Sequence, residues 1–189
     1  MDQMPYDVVV IAASTGGLEA LKVILNPLPA DFPAAIAVVQ HRDPRPSSMF
    51  EELVSRRTRL TIRQAEAGDA LRPGTVHVAP PDRHLLLGPG GALSLSDSPK
   101  VRSARPAADP LFESAAVVFE ARVIAVVLTG GADDGSDGIR VVKRMGGRVI
   151  AQDEESSQVF GMPDSAFKTG MVDYVLPLGD IAARLLAMV

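Results

Sequence analysis

Residues 8–17, which read VVVIAASTGG, constrain the fold of this chain more than any other stretch. Six apolar residues run without a polar break, Ser14 and Thr15 follow, and a glycine pair precedes a helical pattern that begins at Leu18. A short apolar run rich in β-branched residues is typical of a strand that is covered on both faces in a parallel sheet. The stretch therefore predicts a buried strand, a tight turn and a helix, with Ser14 at the carboxyl edge of the sheet.

The same turn also has a purely structural interpretation, in which Ser14 and Thr15 cap the helix and the two glycines allow close packing. A serine that follows a buried strand is not by itself evidence of reactivity. Whether Ser14 is a helix cap or a reactive hydroxyl depends on which polar residues lie at the other strand ends.

The composition fits one folded domain over residues 1–189, because 47 % apolar residues are enough to fill a sizeable core. The net charge is -4 and the basic residues are scattered, so the electrostatic signature of a nucleic-acid-binding protein is missing. The sequence contains no cysteine, and this excludes disulfides, thiolate metal sites and cysteine nucleophiles. No apolar run approaches the roughly 18 residues of a membrane span. We therefore expect a cytoplasmic protein without membrane insertion.

Alternating strand and helix patterns predict an α/β fold with a doubly wound, mostly parallel sheet flanked by helices. The predicted parallel strands are residues 8–13, 34–39, 123–128 and 148–152. The predicted helices are residues 18–25, 48–58, 111–120, 137–145 and 180–188.

Other stretches predict less regular structure. Gly, Pro and Asp residues separate four short extended pieces and predict antiparallel hairpins at the edge of a mixed sheet. These pieces are residues 60–63, 75–79, 84–87 and 92–96. Residues 160–163 are predicted as a loop. Residues 98–108, with two prolines among basic residues, are predicted as a surface segment that either lies over a site or is solvated, and we expect solvation.

Polar side chains follow three of the predicted parallel strands. Ser14 follows the first strand, His41 the second, and the pair Asp133 and Asp134 follows the strand at residues 123–128. Because strand-helix-strand crossovers are right-handed, the carboxyl ends of these strands meet at one edge of the sheet. A serine hydroxyl needs a base such as imidazole, and imidazole needs a carboxylate that orients it. The residues thus predict acyl transfer by Ser14, His41 and either Asp133 or Asp134.

The oxyanion that develops in acyl transfer needs hydrogen-bond donors. The backbone N–H groups after Ser14, or those of Gly130 and Gly131, are the predicted supply. The glycine pattern of the first turn does not match a dinucleotide-binding loop, and no phosphate-binding Gly-Lys-Ser/Thr follows it. The order serine, histidine, acid also differs from that of the α/β-hydrolases.

Several other polar residues are predicted to be structural. His77 lies within a predicted strand and His84 opens another, so neither lies at a parallel strand end. Asp109 before a proline is typical of a helix cap. Residues 133–138 resemble the start of a calcium loop, but Arg144 occupies the position of the twelfth, acidic ligand. We expect no cofactor and no metal.

Six segments together, within a similarity that runs from residue 8 to residue 189, resemble the catalytic domain of the bacterial chemotaxis protein-glutamate methylesterase family. They are AASTGG at 12–17, VVQH at 38–41, PGTVHVAPPDRH at 73–84, RPAADPLF at 105–112, LTGGADDG at 128–135 and AQDEESSQVFGMP at 151–163. The resemblance implies a doubly wound α/β domain with a Ser-His-Asp triad. It also implies hydrolysis of γ-glutamyl methyl esters on the cytoplasmic helical region of chemoreceptors, with release of methanol, and deamidation of receptor glutamines as a second activity.

Matched residue by residue, the resemblance implies Ser14 as the nucleophile, His41 as the base and Asp134 as the orienting acid. Thr15 matches a threonine that helps to position the imidazole, while its alternative role is that of a capping hydroxyl. Gly16 and Gly131 fall on the turn and the loop that border the oxyanion site.

The chain departs from the family pattern at several positions beside these residues. The family has glycine where this chain has Ala12, methionine where it has Gly131 and asparagine where it has Asp133. Arg42 and Asp43 replace a more apolar pair. These changes motivate an alternative function, a catalytically idle member that binds receptors or signalling partners.

Family members carry an N-terminal receiver domain, and about seven residues precede the first predicted strand here. We expect a single catalytic domain without a receiver domain. It is either a free-standing esterase or part of a longer protein, and a receiver domain acting in trans is a candidate partner.

Overall fold

A parallel sheet of seven strands forms the centre of the structure, a computed structural model that describes residues 7–41 and 49–189. The strands are β1 (Val8–Ala13), β2 (Ala35–Gln40), β3 (Thr61–Gln64), β4 (Thr75–Val78), β7 (Val123–Val127), β8 (Arg148–Gln152) and β9 (Tyr174–Leu176). Their order across the sheet is β3-β4-β2-β1-β7-β8-β9. The chain thus moves outward from β1 in both directions, which confirms the predicted doubly wound α/β fold.

Helices cover both faces of this sheet. They are α1 (Gly17–Leu25), α2 (Met49–Ser55), α3 (Ala108–Phe119), α4 (Ser136–Arg144), α5 (Gly161–Lys168) and α6 (Leu178–Met188). Alternate residues of β1 face opposite sides, so that Val10 packs in a core with α3, α4 and α5, and Ile11 packs in a core with α1, α2 and α6. Every residue of β1 and β2 is buried, as expected for the centre of a parallel sheet.

The predicted pairing of the short extended pieces is wrong for two of the four. Strands β3 and β4 join the main sheet in parallel, with Ile62 opposite Val76 and Ile36 opposite Val76 on the other side. Only β5 (His84–Leu87) and β6 (Leu93–Ser96) form an antiparallel hairpin, separate from the main sheet. Gly, Pro and Asp residues mark where a strand ends, but they do not fix the direction of the next strand.

Two elements near the carboxyl terminus were not predicted. Residues 160–163 are not all loop, because α5 begins at Gly161 and holds Pro163 in its first turn, where a helix tolerates proline. Strand β9 has three residues and adds an edge strand parallel to β8. Within residues 7–41 and 49–189, no helix has the length and apolar character required to cross a membrane.

Candidate active site

The ends of β1, β2 and β7 bring three chain segments together at the carboxyl edge of the sheet. Strand β1 pairs with both β2 and β7 in parallel. Beyond the strands, His41 N–H donates to the carbonyl of Ala13 at 2.9 Å, and Ser14 N–H donates to the carbonyl of Thr129 at 3.0 Å. The predicted meeting of Ser14, His41 and the loop after β7 at one edge is therefore present in the structure.

Gln40 fixes the backbone on both sides of this edge. Its side chain is buried, and its Nε2 donates to the carbonyl of Ser14 at 2.8 Å and to the carbonyl of His41 at 2.9 Å. A β-carbon added at Gly17 would lie 2.1 Å from Gln40 Oε1, so the second glycine of the turn makes room for this side chain. Gln40 was not predicted as a site residue, although a polar side chain ending an apolar strand is a signal for it.

His41 contacts one of the two aspartates that the sequence left open. His41 Nε2 lies 2.7 Å from Asp134 Oδ2, and the Asp134 side chain is fully buried. The neighbouring Asp133 side chain is 54 % exposed and pairs with Arg102. The geometry therefore places Asp134, and not Asp133, against the imidazole.

The amino end of α3 holds the Asp134 carboxylate from the other side. The N–H of Ala108 donates to Asp134 Oδ2 at 2.6 Å, and the N–H of Asp109 donates to Asp134 Oδ1 at 3.1 Å. These are two of the N–H groups that a helix leaves without an internal partner, and the helix dipole also favours an anion there. The carboxylate is thus held by two backbone donors as well as by His41.

Asp109 does not have its predicted role as the cap of α3. The capping position is Ala107, which makes no side-chain bond to the helix, and Asp134 receives the first N–H groups instead. The buried Asp109 carboxylate accepts a hydrogen bond from the N–H of Gly138 at 2.7 Å, at the start of α4. Burial raises the pKa of Asp109, and the Asp134 charge raises it further, against the lowering effect of the bond from Gly138.

The turn after β1 leaves the Ser14 hydroxyl free of a capping role. Helix α1 starts after Gly16, which has a φ of 82°, and no side chain caps it. The interpretation of Ser14 or Thr15 as a helix cap is therefore wrong. Thr15 is exposed, and its carbonyl accepts a bond from Thr129 Oγ1 at 2.9 Å. Among the residues described, the Ser14 hydroxyl and the His41 ring make no hydrogen bond to each other, as is common without substrate.

The loop after β7 lies directly against Ser14. A β-carbon added at Gly130 would lie 2.7 Å from Ser14 Cβ, so a glycine is needed at this approach. The N–H of Gly130 donates to the carbonyl of Val159 at 2.9 Å and is therefore not available to a substrate. The exposed Gly131 has an N–H with no partner in the described part of the chain. Of the two predicted donors in this loop, only Gly131 remains open.

Residues 98–107, called here the 98–107 segment, form one wall of the cleft next to His41. The cleft has a volume of about 700 Å³ and is lined by His41, Asp82, Ala132 and part of this segment. Arg105 in the segment pairs with Asp82 at 2.9 Å. The expectation that the segment is merely solvated is therefore wrong, because it borders the same cleft as the imidazole.

Arg102 of the 98–107 segment is bound by three carboxylates. Its Nε lies 3.3 Å from Asp109 Oδ2, its Nη2 lies 2.6 Å from Asp137 Oδ2, and its Nη1 pairs with Asp133. The hydrogen bond to Asp137 raises the pKa of Arg102, so the guanidinium remains charged. Arg102 had no predicted function, and its basic neighbours in the sequence gave no reason to single it out.

The structure also bears on the remaining predictions. Ala12 is fully buried within β1, opposite Val39 and Val127, so its methyl group is part of the core. Within residues 7–41 and 49–189, there is no group of three or more His, Asp or Glu side chains that could hold a metal ion.

Arg42 and Asp43 lie outside the described residues.

His77 and His84, which were predicted to be structural, are both buried. His84 Nε2 lies 3.1 Å from the carbonyl of Pro99, and its Nδ1 accepts a bond from Ala107 N–H at 3.2 Å. His84 therefore ties both ends of the 98–107 segment to β5. His77 lies in β4 and its ring nitrogens have no partner within the described residues, and burial lowers its pKa.

Comparisons with known proteins agree with this architecture. The family model described as CheB methylesterase matches residues 9–185. A protein of Anaeromyxobacter dehalogenans named protein-glutamate methylesterase/protein-glutamine glutaminase 2 is 48 % identical over 95 % of this chain and 52 % of its own length. Protein-glutamate methylesterase FrzG of Myxococcus xanthus is 43 % identical over 98 % of this chain and 55 % of its own length. The chain thus spans about half the length of these relatives.

A solved structure agrees over nearly the whole chain. The crystal structure of the Thermotoga maritima CheB methylesterase catalytic domain superposes with a TM-score of 0.94 at 41 % identity. The superposition covers 98 % of this chain and 100 % of the Thermotoga maritima chain. The similarity therefore extends over nearly the whole fold.

Proposed function

The chain belongs to the CheB methylesterase family, and we propose that it hydrolyses γ-glutamyl methyl esters on the cytoplasmic helical region of chemoreceptors, with Ser14 as the nucleophile. The observation that carries the proposal is the contact of His41 Nε2 with the buried Asp134 at 2.7 Å, at the strand end next to Ser14. The names of the relatives support both the ester substrate and a second activity on glutamine.

The first half of the reaction uses Ser14 and His41. Because Nε2 of His41 faces Asp134, Nδ1 is the ring nitrogen that accepts the proton of the Ser14 hydroxyl. Ser14 Oγ attacks the ester carbonyl and forms a tetrahedral intermediate with a negatively charged oxygen. The N–H groups of Gly16 and Gly131 have no partner among residues described in the structure and are the proposed donors to that oxygen.

The second half releases the products. The proton on His41 passes to the departing methoxide, and methanol leaves while the glutamyl group remains esterified to Ser14. His41 then takes a proton from a water molecule as the water oxygen attacks the acyl carbonyl. The second tetrahedral intermediate collapses while His41 returns this proton to Ser14 Oγ, which leaves a glutamate side chain and free Ser14. With a glutamine side chain the same steps release ammonia.

Asp134 stabilises the imidazolium that forms in both halves. Its carboxylate is buried and receives two backbone N–H bonds from the start of α3, so its position is fixed before the substrate binds. A carboxylate in this position also selects the tautomer in which Nδ1 is the free acceptor.

The experiment that tests this function is methanol release from a methylated chemoreceptor fragment, measured with and without an added receiver domain. We expect methanol from the parent protein and none above background from the same fragment without methyl esters. Ammonia release from a glutamine-containing fragment tests the second activity separately. A parent protein that binds the methylated fragment and releases no methanol under either condition contradicts the proposal.

The alternative of an idle binding protein is motivated by the positions at which the chain departs from the family pattern, Ala12, Gly131 and Asp133. A fluorophosphonate probe distinguishes the two functions, because it labels only an activated serine. Labelling of Ser14 that disappears in His41→Ala supports the esterase. Retained receptor binding without any labelling supports the binding protein.

A further inference from the structure

We propose that a cavity over strands β3 and β4 binds a small phosphate-bearing anion, held by Arg63, Arg72 and His77. The cavity has a volume of about 230 Å³ and is called here the β3–β4 cavity. Its polar lining residues are Thr61, Arg63, Asp69, Arg72, Thr75 and His77. None of them lines the cleft next to His41, so this site does not rest on the proposed function.

The first argument is the buried side chain of His77. The residue is 2 % exposed, and neither ring nitrogen has a hydrogen-bond partner within the described residues. A buried polar group that has lost its bonds to water and gained no others costs free energy, and such groups are rare in folded proteins. A ligand that accepts a hydrogen bond from the ring N–H of His77 would remove this cost.

The alternation of side chains along the strands places His77 on the same side of the sheet as Arg63. Val76 packs in the core with α1, α2 and α6, so the next residue, His77, faces the opposite side. Arg63 lies beside His77 in the parallel ladder, and Thr61 lies beside Thr75. Because adjacent strands are about 4.8 Å apart, these four side chains form one polar surface at the cavity.

The second argument is the charge of the β3–β4 cavity. The guanidinium groups of Arg63 and Arg72 make no hydrogen bond or ion pair in the part of the chain that the structure describes. Burial lowers the pKa of His77, Asp69 raises it, and the two arginines lower it further, so the imidazole is neutral near pH 7. Two cations therefore face one carboxylate, and the excess positive charge favours an anion.

The donors around the cavity suit phosphate better than a carboxylate. Two guanidinium groups, one imidazole N–H and two threonine hydroxyls come from β3, from β4 and from the segment between them. Guanidinium groups bind phosphate oxygens through paired hydrogen bonds, and a carboxylate has only two oxygens to share among all these donors. The cavity is smaller than the roughly 300 Å³ of sites for drug-sized ligands, which fits inorganic phosphate or a small phosphomonoester.

The segment between β3 and β4 is held in place without a ligand. The N–H of Leu93 donates to the carbonyl of Asp69 at 2.6 Å, and the N–H of Leu71 donates to the carbonyl of Gly91 at 2.8 Å. These bonds tie the segment to the β5–β6 hairpin. The wall of the cavity is therefore preformed, and an anion that binds there does not have to order the chain first.

The test is a titration with inorganic phosphate followed by NMR, with chloride added to keep the ionic strength constant. We expect saturable shifts of the ring signals of His77, which are assigned by their loss in His77→Gln, and no comparable shift for His84. Arg63→Gln and Arg72→Gln should each weaken phosphate binding by about fivefold, because each removes one exposed ion pair. Both arginines are exposed, so both variants should fold.

Asp69 provides the reciprocal variant. Asp69→Asn removes the carboxylate that opposes the anion and should tighten phosphate binding by about fivefold. Arg140→Gln is the matched control, because Arg140 is exposed on α4, has no partner among the residues described and does not line the cavity. It should leave the dissociation constant for phosphate unchanged.

Glycerol 3-phosphate and acetate identify the source of the anion. Tighter binding of glycerol 3-phosphate than of inorganic phosphate supports an organic phosphate, and equal or weaker binding supports the free ion. Acetate that binds as tightly as phosphate overturns the assignment to phosphate. The absence of a saturable His77 shift, or equal phosphate affinity in Arg63→Gln, Arg72→Gln and Arg140→Gln, overturns the site itself. Methanol release plays no part in these measurements, so they stand or fall separately from the proposed function.

Discussion

At the scale of single residues, the structure separates two adjacent aspartates by their surroundings. Asp134 is buried and bonded to His41 and to two backbone N–H groups, whereas Asp133 is half exposed and bonded to Arg102. Adjacent aspartates have the same chemistry, so their order in the sequence could not tell which one faces the imidazole. The family resemblance implied Asp134 as the orienting acid, and the 2.7 Å contact between Asp134 Oδ2 and His41 Nε2 supports the proposal that it has this role.

Substitution of the two aspartates should therefore have very different effects. Asp134→Asn should lower kcat by about 10⁴-fold, because an amide favours the wrong histidine tautomer. Asp133→Asn should change kcat by less than about tenfold, since only a screened surface charge is lost. Methanol-release kinetics on both variants check this, with circular dichroism to confirm folding. The reverse ranking would move the orienting acid to Asp133.

Gln40 offers a second test at this scale. Gln40→Met keeps the size of the side chain but removes the bonds to the carbonyls of Ser14 and His41. We expect kcat to fall by up to about 100-fold with a smaller change in KM, because the proposed nucleophile and the proposed base lose their alignment. Gln64→Met is the control, since Gln64 also ends a strand but is exposed. Equal kinetics for the two variants would argue against a positioning role for Gln40.

At the scale of elements, the amino end of α3 is part of the site. Ala108 occupies the first position of the helix and its N–H donates to Asp134 Oδ2 at 2.6 Å. Proline is favoured at this helix position, and the extended backbone of Ala107 suits a following proline. Ala108→Pro thus removes one donor to Asp134 while the helix is retained.

The Ala108→Pro variant should lower kcat by about tenfold or more, because a hydrogen bond to a charged group contributes about 1.5–3 kcal/mol. Methanol-release kinetics give the change in kcat, and thermal unfolding shows whether α3 still packs on the sheet. A variant with parent kcat and parent thermal stability would show that this N–H is dispensable for orienting Asp134.

The sequence predicts elements best where hydrophobic pattern alone decides. The strand at Val8–Ala13 and the helix after it match the prediction closely, because six apolar residues ending in a glycine turn allow few other structures. The direction of β3 and β4 could not be predicted, since strand direction depends on neighbouring strands that lie far away in the sequence. The role of the 98–107 segment was missed for the same reason: the partners of Arg102 all come from other elements.

At the scale of the whole molecule, Asp173 ties the carboxyl-terminal part of the sheet to its helices. Its carboxylate accepts bonds from Lys143 in α4 at 2.7 Å, from Arg148 in β8 at 3.0 Å and from the N–H of Val149 at 2.8 Å. Burial alone would raise the pKa of Asp173, but these bonds, led by Lys143, lower it below the usual value. A carboxylate with a lowered pKa stabilises the folded state above its unfolded pKa and loses this effect as the pH falls through its folded pKa.

Asp173→Asn should therefore reduce the free energy of unfolding at pH 7 by about 1 kcal/mol or more, and the difference from the parent should shrink as the pH falls below about 3.8. Urea unfolding at a series of pH values measures this. Asp164→Asn is the control, because Asp164 forms a single pair with Lys168 on the surface of α5. Its effect should stay below about 0.5 kcal/mol. A constant difference across the whole pH range would contradict the account of Asp173.

The central claim is that Ser14 is the nucleophile of a methyl ester hydrolase, and its most direct test is the rate of methanol release by Ser14→Ala. The substitution removes only the hydroxyl, which makes no bond to His41 in the structure, so folding should be unaffected. We predict a loss of several orders of magnitude relative to the parent on the same methylated receptor fragment. A folded Ser14→Ala protein that releases methanol at the parent rate would contradict the claim.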